Sequence, residues 1–285
     1  MPGKDESVRG LLREYAAYLK EEGVQRVPKG RPVAKKPRKA KPAAEATAAP
    51  KASAMPTAER PSVAAPPVQA PVAAAPKKVL EAAPRRRLSS ENAPGTTLET
   101  IAAEVLACDA CGLCAERQHA VPGEGNGDRP EVMFIGEGPG ADEDAQGRPF
   151  VGRSGRLLTD MIRAMGYTRE EVFIGNIVKC RPPGNRTPTP SEMAWCMPFL
   201  LRQIALIRPQ SIVCLGLTAA RGLLGFDGRL GDIRGQWSDF QGIPVMVTYH
   251  PAFLLRDPNR KGDCWRDLQQ VMAKFGRKRP PAQAK

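Results

Sequence analysis

Four cysteines, Cys108, Cys111, Cys180 and Cys196, constrain the fold of this chain more than any other feature. A Cys-x-x-Cys pair with a third and a fourth cysteine far downstream is how a chain encloses a metal centre. It obliges segments separated by 68 and 15 residues to return to one place. The four bracket an apolar run ending in glycines, Phe134-Ile135-Gly136-Glu137-Gly138-Pro139-Gly140, so the centre and a candidate site belong to one domain. Four thiolates suit either tetrahedral zinc or an iron–sulfur cluster, and spacing does not choose between them. Cys114 offers an alternative register with Cys111, Cys214 sits among apolar residues as a core position, and Cys264 has no partner signal.

The chain has 43 Lys and Arg against 30 Asp and Glu, and the excess is uneven. Residues 1–95 carry +10 and the rest only +3, so the high pI describes mostly a basic tail and suggests a polyanionic partner. The first residues lack the apolar core of a signal peptide and no run of 18 apolar residues occurs, which predicts a cytoplasmic protein with no membrane partner. Seven cysteines in a reducing compartment then argue for metal ligation or buried thiols rather than a disulfide framework. Nothing demands more than a monomer.

Four segments are expected. Residues 1–26 hold a short amphipathic helix with Val8, Leu11, Leu12, Tyr15 and Leu19 on one face. Residues 27–95 are Pro, Ala and Lys with scarcely an aromatic residue; they bury too little apolar surface to offset the entropy of ordering and read as a disordered linker. Residues 96–278 form the folded domain and 279–285 a disordered tail. Within the domain, short β-branched runs at Val132–Ile135, Val172–Ile177, Ser211–Leu215 and Val245–Thr248 alternate with helical patterns at Gly155–Met165, Ser191–Ile207, Thr218–Leu224 and Cys264–Phe275. The alternation predicts an α/β fold: an open, mostly parallel four-stranded sheet with helices on both faces. Ser191 is expected to cap the second helix alone, since Ala194 follows it three residues later.

In such sheets ligands bind beyond the carboxyl ends of the strands. Glu137 follows the first run, Asn176 ends the second and His250 follows the fourth, so three polar groups share that edge. The glycines of Gly136–Gly140 do not make a dinucleotide fingerprint, because Pro139 intervenes and about fourteen residues pass before the next helix. They better suit a loop around a small planar ligand, with Phe150 as an aromatic face or a core anchor. His250 stands where a strand becomes a Pro-initiated turn, and His119 carries no second signal.

Taken together, Gly136-Glu-Gly-Pro-Gly-Ala-Asp-Glu-Asp144, Gly147-Arg-Pro-Phe-Val-Gly152, Asn176-Ile-Val-Lys-Cys-Arg-Pro-Pro183 and His250-Pro-Ala-Phe-Leu-Leu-Arg256 resemble, in order, the motifs of the family 4 uracil-DNA glycosylases, the iron–sulfur class of their superfamily. The resemblance covers about Leu98 to Phe275. It implies the uracil-DNA glycosylase-like fold and a structural [4Fe–4S] cluster on Cys108, Cys111, Cys180 and Cys196, with zinc the runner-up and Cys114 spare. It further implies that Glu137, Gly138 and Glu143 line a uracil pocket, that Phe150 stacks on the base, that Asn176 reads its edge and that His250 addresses O2.

The implied activity is that of a monofunctional hydrolase in base excision repair, which extrudes uracil from double- or single-stranded DNA, cuts its N-glycosidic bond and leaves an abasic site. Catalysis would rest on His250 and Asn176, with Glu137 a candidate for activating water. Gly138 stands where the best-known branch has a catalytic aspartate, so backbone carbonyls, Glu137 or Glu143 remain open for that task. Phe253, Leu254 and Leu255 are expected to wedge into the vacated stack while Arg256 holds phosphate; core packing is the competing account of the leucines. A branch that traps its product on an extra histidine is set aside, because Arg229–Gly235 contains none. A non-catalytic nucleic-acid-binding module linked to replication is the alternative, and a metal-dependent nucleotide hydrolase is disfavoured for want of a His/Asp cluster with open-site spacing.

Overall fold

A computed structural model describes residues 91–280 of the chain. The expectations for residues 1–90, an amphipathic helix and most of a linker, and for the last five residues lie outside the described residues. Asn92 is already docked: its Nδ2 donates to the Arg202 carbonyl at 3.1 Å, and Arg202 Nε donates back to Asn92 Oδ1 at 3.2 Å.

The core is a six-stranded sheet of β1 (Glu124–Gly125), β2 (Met133–Gly136), β3 (Phe173–Asn176), β4 (Ile212–Leu215), β5 (Trp237–Phe240) and β6 (Ile243–Thr248), in the order β1-β3-β2-β4-β6-β5. The four parallel strands expected from the apolar runs form its centre, each within two residues of its expected bounds. The count of four is corrected by an antiparallel strand on each edge, β1 beside β3 and β5 beside β6. Neither had a legible pattern. Glu124-Gly125 is two residues long, and Trp237-Ser-Asp-Phe240 is polar because one side of an edge strand faces water.

The central strands are buried on both faces because helices cover both. Met133, Ile135, Ile212, Cys214, Val245 and Val247 point to one layer, which holds α1 (Leu98–Leu106), α4 (Pro190–Ile207) and α5 (Leu217–Leu224). Phe134, Ile174, Val213, Leu215 and Met246 point to the other, which holds α3 (Arg153–Ala164), α7 (Pro251–Arg256) and α8 (Lys261–Lys274). Each fully buried aliphatic or Phe side chain contributes about 1.5–3 kcal/mol, so the alternation fixes the register of every strand. Two short helices, α2 (Ala141–Gln146) and α6 (Leu230–Ile233), and three single 3₁₀ turns, Gly112–Ala115, Pro183–Asn185 and Pro258–Arg260, complete the described elements.

Two local expectations are corrected. The cap of α4 is Thr189, not Ser191: Thr189 Oγ1 accepts from Glu192 N at 3.2 Å and Glu192 Oε2 accepts from Thr189 N at 2.7 Å, a reciprocal box that admits Pro190 at the first helical position. The segment after His250 is a helix of six residues rather than a turn. No helix among the described residues is long and apolar enough to cross a membrane.

Candidate active site

Register brings the site together. Gly136 at the end of β2 is paired with Asn176 at the end of β3, and Leu215 of β4 with Thr248 of β6, so all four parallel strands finish along one rim. A cleft of about 450 Å³ opens there, lined by Glu137, Gly138, Glu143, Phe150, Asn176 and His250. Six residues expected from separate parts of the sequence thus share one cavity. Its size suits a small planar ligand.

Gly136 makes the floor possible. A Cβ there would lie 2.5 Å from both Asn176 Oδ1 and Phe150 Cζ, so any larger residue would displace the amide, the ring or both. Phe150 is held at φ 51°, in the left-handed region that costs a non-glycine residue about 1–2 kcal/mol. Its backbone packs against α3 at Gly155, where a Cβ would lie 1.9 Å from the Phe150 carbonyl oxygen. The preceding loop is pinned by Glu124, which takes Arg148 Nε at 2.8 Å and Arg169 Nε at 2.7 Å, while Arg169 also donates to the Pro149 carbonyl. The backbone of Phe150 is therefore held by its surroundings in a conformation it would not choose alone.

Asn176 is 1% exposed, and its Oδ1 is a buried acceptor without a hydrogen-bond partner. Buried polar groups are nearly always paired, so an orphan at the floor of a cleft marks a place for a ligand donor. His250 caps α7 with its side chain: Ala252 N donates to Nδ1 at 3.1 Å. Since Nδ1 accepts, the neutral ring carries its proton on Nε2. Burial, aided by the Arg256 charge, holds its pKa down to about 4, so the imidazole is a neutral donor at physiological pH.

The two carboxylates differ. Glu143 is used up by the loop, accepting from Gly140 N at 3.1 Å, Val151 N at 2.9 Å and Gly152 N at 3.0 Å. Glu137 receives Thr218 Oγ1 on Oε2 at 2.6 Å and stays partly exposed to the cleft. His119 is structural, its Nδ1 3.0 Å from the Asp144 carbonyl oxygen.

Along α7 the two leucines of the expected wedge differ in exposure. Leu254 is 1% exposed and packed in the core, where it also borders a separate apolar cavity with Met161, Trp265 and Leu268; it cannot insert into DNA without unpacking the helix. Leu255 is 37% exposed, while Phe253 and Arg256 line the cleft. Sequence reading missed Ser154, Asn185, Arg186 and Thr187, which also line it. The signal for the last three is only that the 182–187 loop follows β3 at the ligand-binding edge. Arg186 makes two bonds to Glu192 at 2.8 and 2.7 Å, fixing that loop to the start of α4.

Behind the site lie the cysteines. Cys111, Cys180 and Cys196 belong to one buried cluster, and the half-buried Cys108 packs against it. Burial pushes Cys111 up to about 11 and Cys196 to about 12, so metal loading there must release protons. N–H groups already point at the sulfurs: Ala110 N at Cys108 (3.5 Å), Arg117 at Cys180 (3.1 Å) and Lys179 N at Cys196 (3.2 Å). Such donors favour thiolate, so the residues fit a cysteine-bound metal group. Among the described residues no three His, Cys, Asp or Glu side chains are gathered to hold a single ion. Cys214 and Cys264 are buried elsewhere in the core.

The fold and this rim define a class. Residues 122–269, just over half of the chain, match the family model of the Uracil DNA glycosylase superfamily, to which the chain belongs. Within it, the chain is a member of the type-4 uracil-DNA glycosylase family. It is 46% identical over 171 residues to the type-4 uracil-DNA glycosylase of Pyrobaculum aerophilum, an overlap of 56% of this chain and 86% of that protein. It is 49% identical over 164 residues to that of Thermotoga maritima, covering 56% and 84%, and 39% identical over 192 residues to that of Archaeoglobus fulgidus, covering 65% and 96%.

Proposed function

We propose that the protein is a monofunctional uracil-DNA glycosylase that takes uracil out of DNA by hydrolysis and leaves an abasic site. That it is an enzyme, a hydrolase of N-glycosyl bonds, follows from its family. One observation carries the finer reading, the orphaned Oδ1 of Asn176 on the floor of the cleft. Uracil presents an N3–H donor beside the O4 acceptor, which an amide matches with its oxygen and its NH₂ group. Cytosine presents the reverse, so its entry would leave buried groups unpaired and be strongly disfavoured.

Breaking the bond between N1 and the sugar expels a pyrimidine anion and leaves an oxocarbenium-like sugar. Rate then comes from donors aimed where negative charge grows. His250 is suited to that task at uracil O2, because the Ala252 N–H on Nδ1 keeps its remaining proton on Nε2. Phe150 offers its face to the base. Glu137 is the carboxylate left to orient water and to offset the cationic sugar, since the loop occupies Glu143.

Cys108, Cys111, Cys180 and Cys196 would hold a [4Fe–4S] cluster. A zinc ion needs four sulfurs about 2.3 Å from one point, whereas a cluster with one cysteine per iron asks for a wider cage. When bound, the cluster supplies a cross-link between the end of α1, the segment after β3 and α4; hydrolysis moves no electrons and needs none from it. Arg256 and Leu255 would meet DNA beside the cleft, Arg256 at phosphate and Leu255 in the space the base leaves.

The test is release of free uracil from a uracil-containing oligonucleotide by the purified full chain, at several salt concentrations. Multiple turnover with an activity that falls steeply as salt rises is expected. Binding without release would favour a non-catalytic module.

A further inference from the structure

Lys179 is 1% exposed, and no carboxylate pairs with it among the described residues. Its Nζ donates to the Asn176 carbonyl at 3.0 Å and to Gln203 Oε1 at 2.8 Å, and Gln203 Nε2 donates onward to the Pro122 carbonyl at 2.9 Å. Its backbone N–H donates to Cys196 Sγ at 3.2 Å. One residue therefore touches both the amide-bearing end of β3 and one of the four cysteines. The chain between them has little freedom: Ile177 N and Val178 N donate to the carbonyls of Gly136 and Glu137, and Val121 N donates to that of Lys179.

A lone buried ammonium is costly, and an apolar side chain of equal length would normally serve a core better. Its presence there calls for a charge that works where it stands. A thiolate cage loaded with iron is net negative, which gives the ammonium its counter-charge, and the Asn176 carbonyl gives it a fixed acceptor. We propose that Lys179 is a positioning residue that couples the cysteine cage to the base-reading amide, holding the Asn176 end of β3 with its ammonium and Cys196 with its backbone. The proposal rests on the reading of Asn176 as the group that recognises uracil.

The test uses the full iron-loaded chain with Lys179→Met, Gln203→Met, Asn176→Ala and the Lys179→Met/Asn176→Ala double variant. Four quantities are measured: kcat and KM on a single-stranded uracil oligonucleotide, inhibition by free uracil, iron content with visible absorption, and the cluster's reduction potential. K179M should keep its iron, lose at least about tenfold in kcat with KM within about twofold, and bind free uracil about tenfold more weakly. Its reduction potential should move to a more negative value, because a buried positive charge on the residue preceding Cys180 has gone. In the N176A background K179M should cost less than about twofold, since residues acting through one another are not additive.

Wild-type kcat and uracil inhibition in folded K179M, or a loss that multiplies fully with N176A, would overturn the proposal. If K179M does not fold, Q203M reads the same brace, with inhibition by uracil expected to weaken about threefold and an unchanged value overturning it. A wild-type chain that releases no uracil defeats the functional reading and this inference together. An active wild type with an equally active K179M defeats the inference alone.

Discussion

The rings of Phe150 and His250, both lining the cleft, are in contact with centroids 5.7 Å apart and planes tilted by 34°. They come from segments a hundred residues apart and converge because β2 and β6 both run parallel to β4, which lies between them. The orphaned Asn176 oxygen lies beside Phe150, with Gly136 as the space between them. A planar base inserted here would meet a ring on one face and donors at its edges.

His250 is expected to contribute as a neutral donor. H250A should lower kcat by about 10²–10³ with little change in KM, the range for removing one donor to a developing anion. The pH profile of kcat/KM separates this role from that of an acid. With a pKa held near 4 and an ordinary value of 6.5, the neutral form persists as pH falls from 8 to 5 and is lost only below about 4. A fall in kcat/KM centred near pH 6.5 that disappears in H250A would contradict the assignment.

Asn176→Ala should lose roughly ten- to a hundredfold in kcat/KM for uracil, the scale of a hydrogen bond to a group gaining charge. Its discrimination against cytosine should also weaken, because the mismatch with a buried amide no longer costs anything. Competition between uracil- and cytosine-containing oligonucleotides measures both. Discrimination equal to wild type would place base recognition elsewhere.

Gly136→Ala fills the space shared by Asn176 Oδ1 and Phe150 Cζ. Uracil release should fall by at least about tenfold, while the lost stability stays within the roughly 1–3 kcal/mol of an overpacked site. Chemical denaturation alongside the activity assay checks the pair; full activity would mean that the ring and amide are free to move apart.

The two leucines of α7 should separate cleanly. Leu254→Ala is expected to destabilise by about 2–5 kcal/mol, as core truncations do, with its kinetic effect following stability. Leu255→Ala should leave stability within about 0.5 kcal/mol yet slow uracil release from duplex more than from single strands, since only the duplex leaves a stack to fill. Thermal melts and paired kinetics on the two substrates decide. Equal slowing on both would remove Leu255 from that role.

Cys108→Ala should lose the brown colour, iron and much of the stability, as the proposed cluster would link the end of α1 to the segment after β3 and to α4. Iron analysis and a melting curve of the same sample suffice. A colourless variant as stable and active as wild type would contradict a structural cluster.

The four parallel strands and their covering helices were legible because each strand is buried on both faces and reads as a short β-branched run. The short helix α2, rich in Asp and Glu, lacked that pattern, and the Thr189 box was hidden behind the nearer Ser191. Leu254 and Leu255 show the limit most sharply. Neighbours in sequence with the same side chain, they point about 100° apart around one helix turn, and only the packing of α7 against α3 tells which meets solvent.

By itself the sequence determined the chemistry available, an amide, an imidazole, carboxylates, a phenyl ring and four thiols, and the order in which strands carry them. The tertiary structure decided which of these are free to act. Three loop amides occupy the Glu143 carboxylate, a backbone N–H selects the tautomer of His250, and a missing partner leaves Asn176 Oδ1 open. The physical reason is that hydrogen-bond satisfaction is set by through-space neighbours, and a burial pattern along the chain specifies a face without specifying what waits across it.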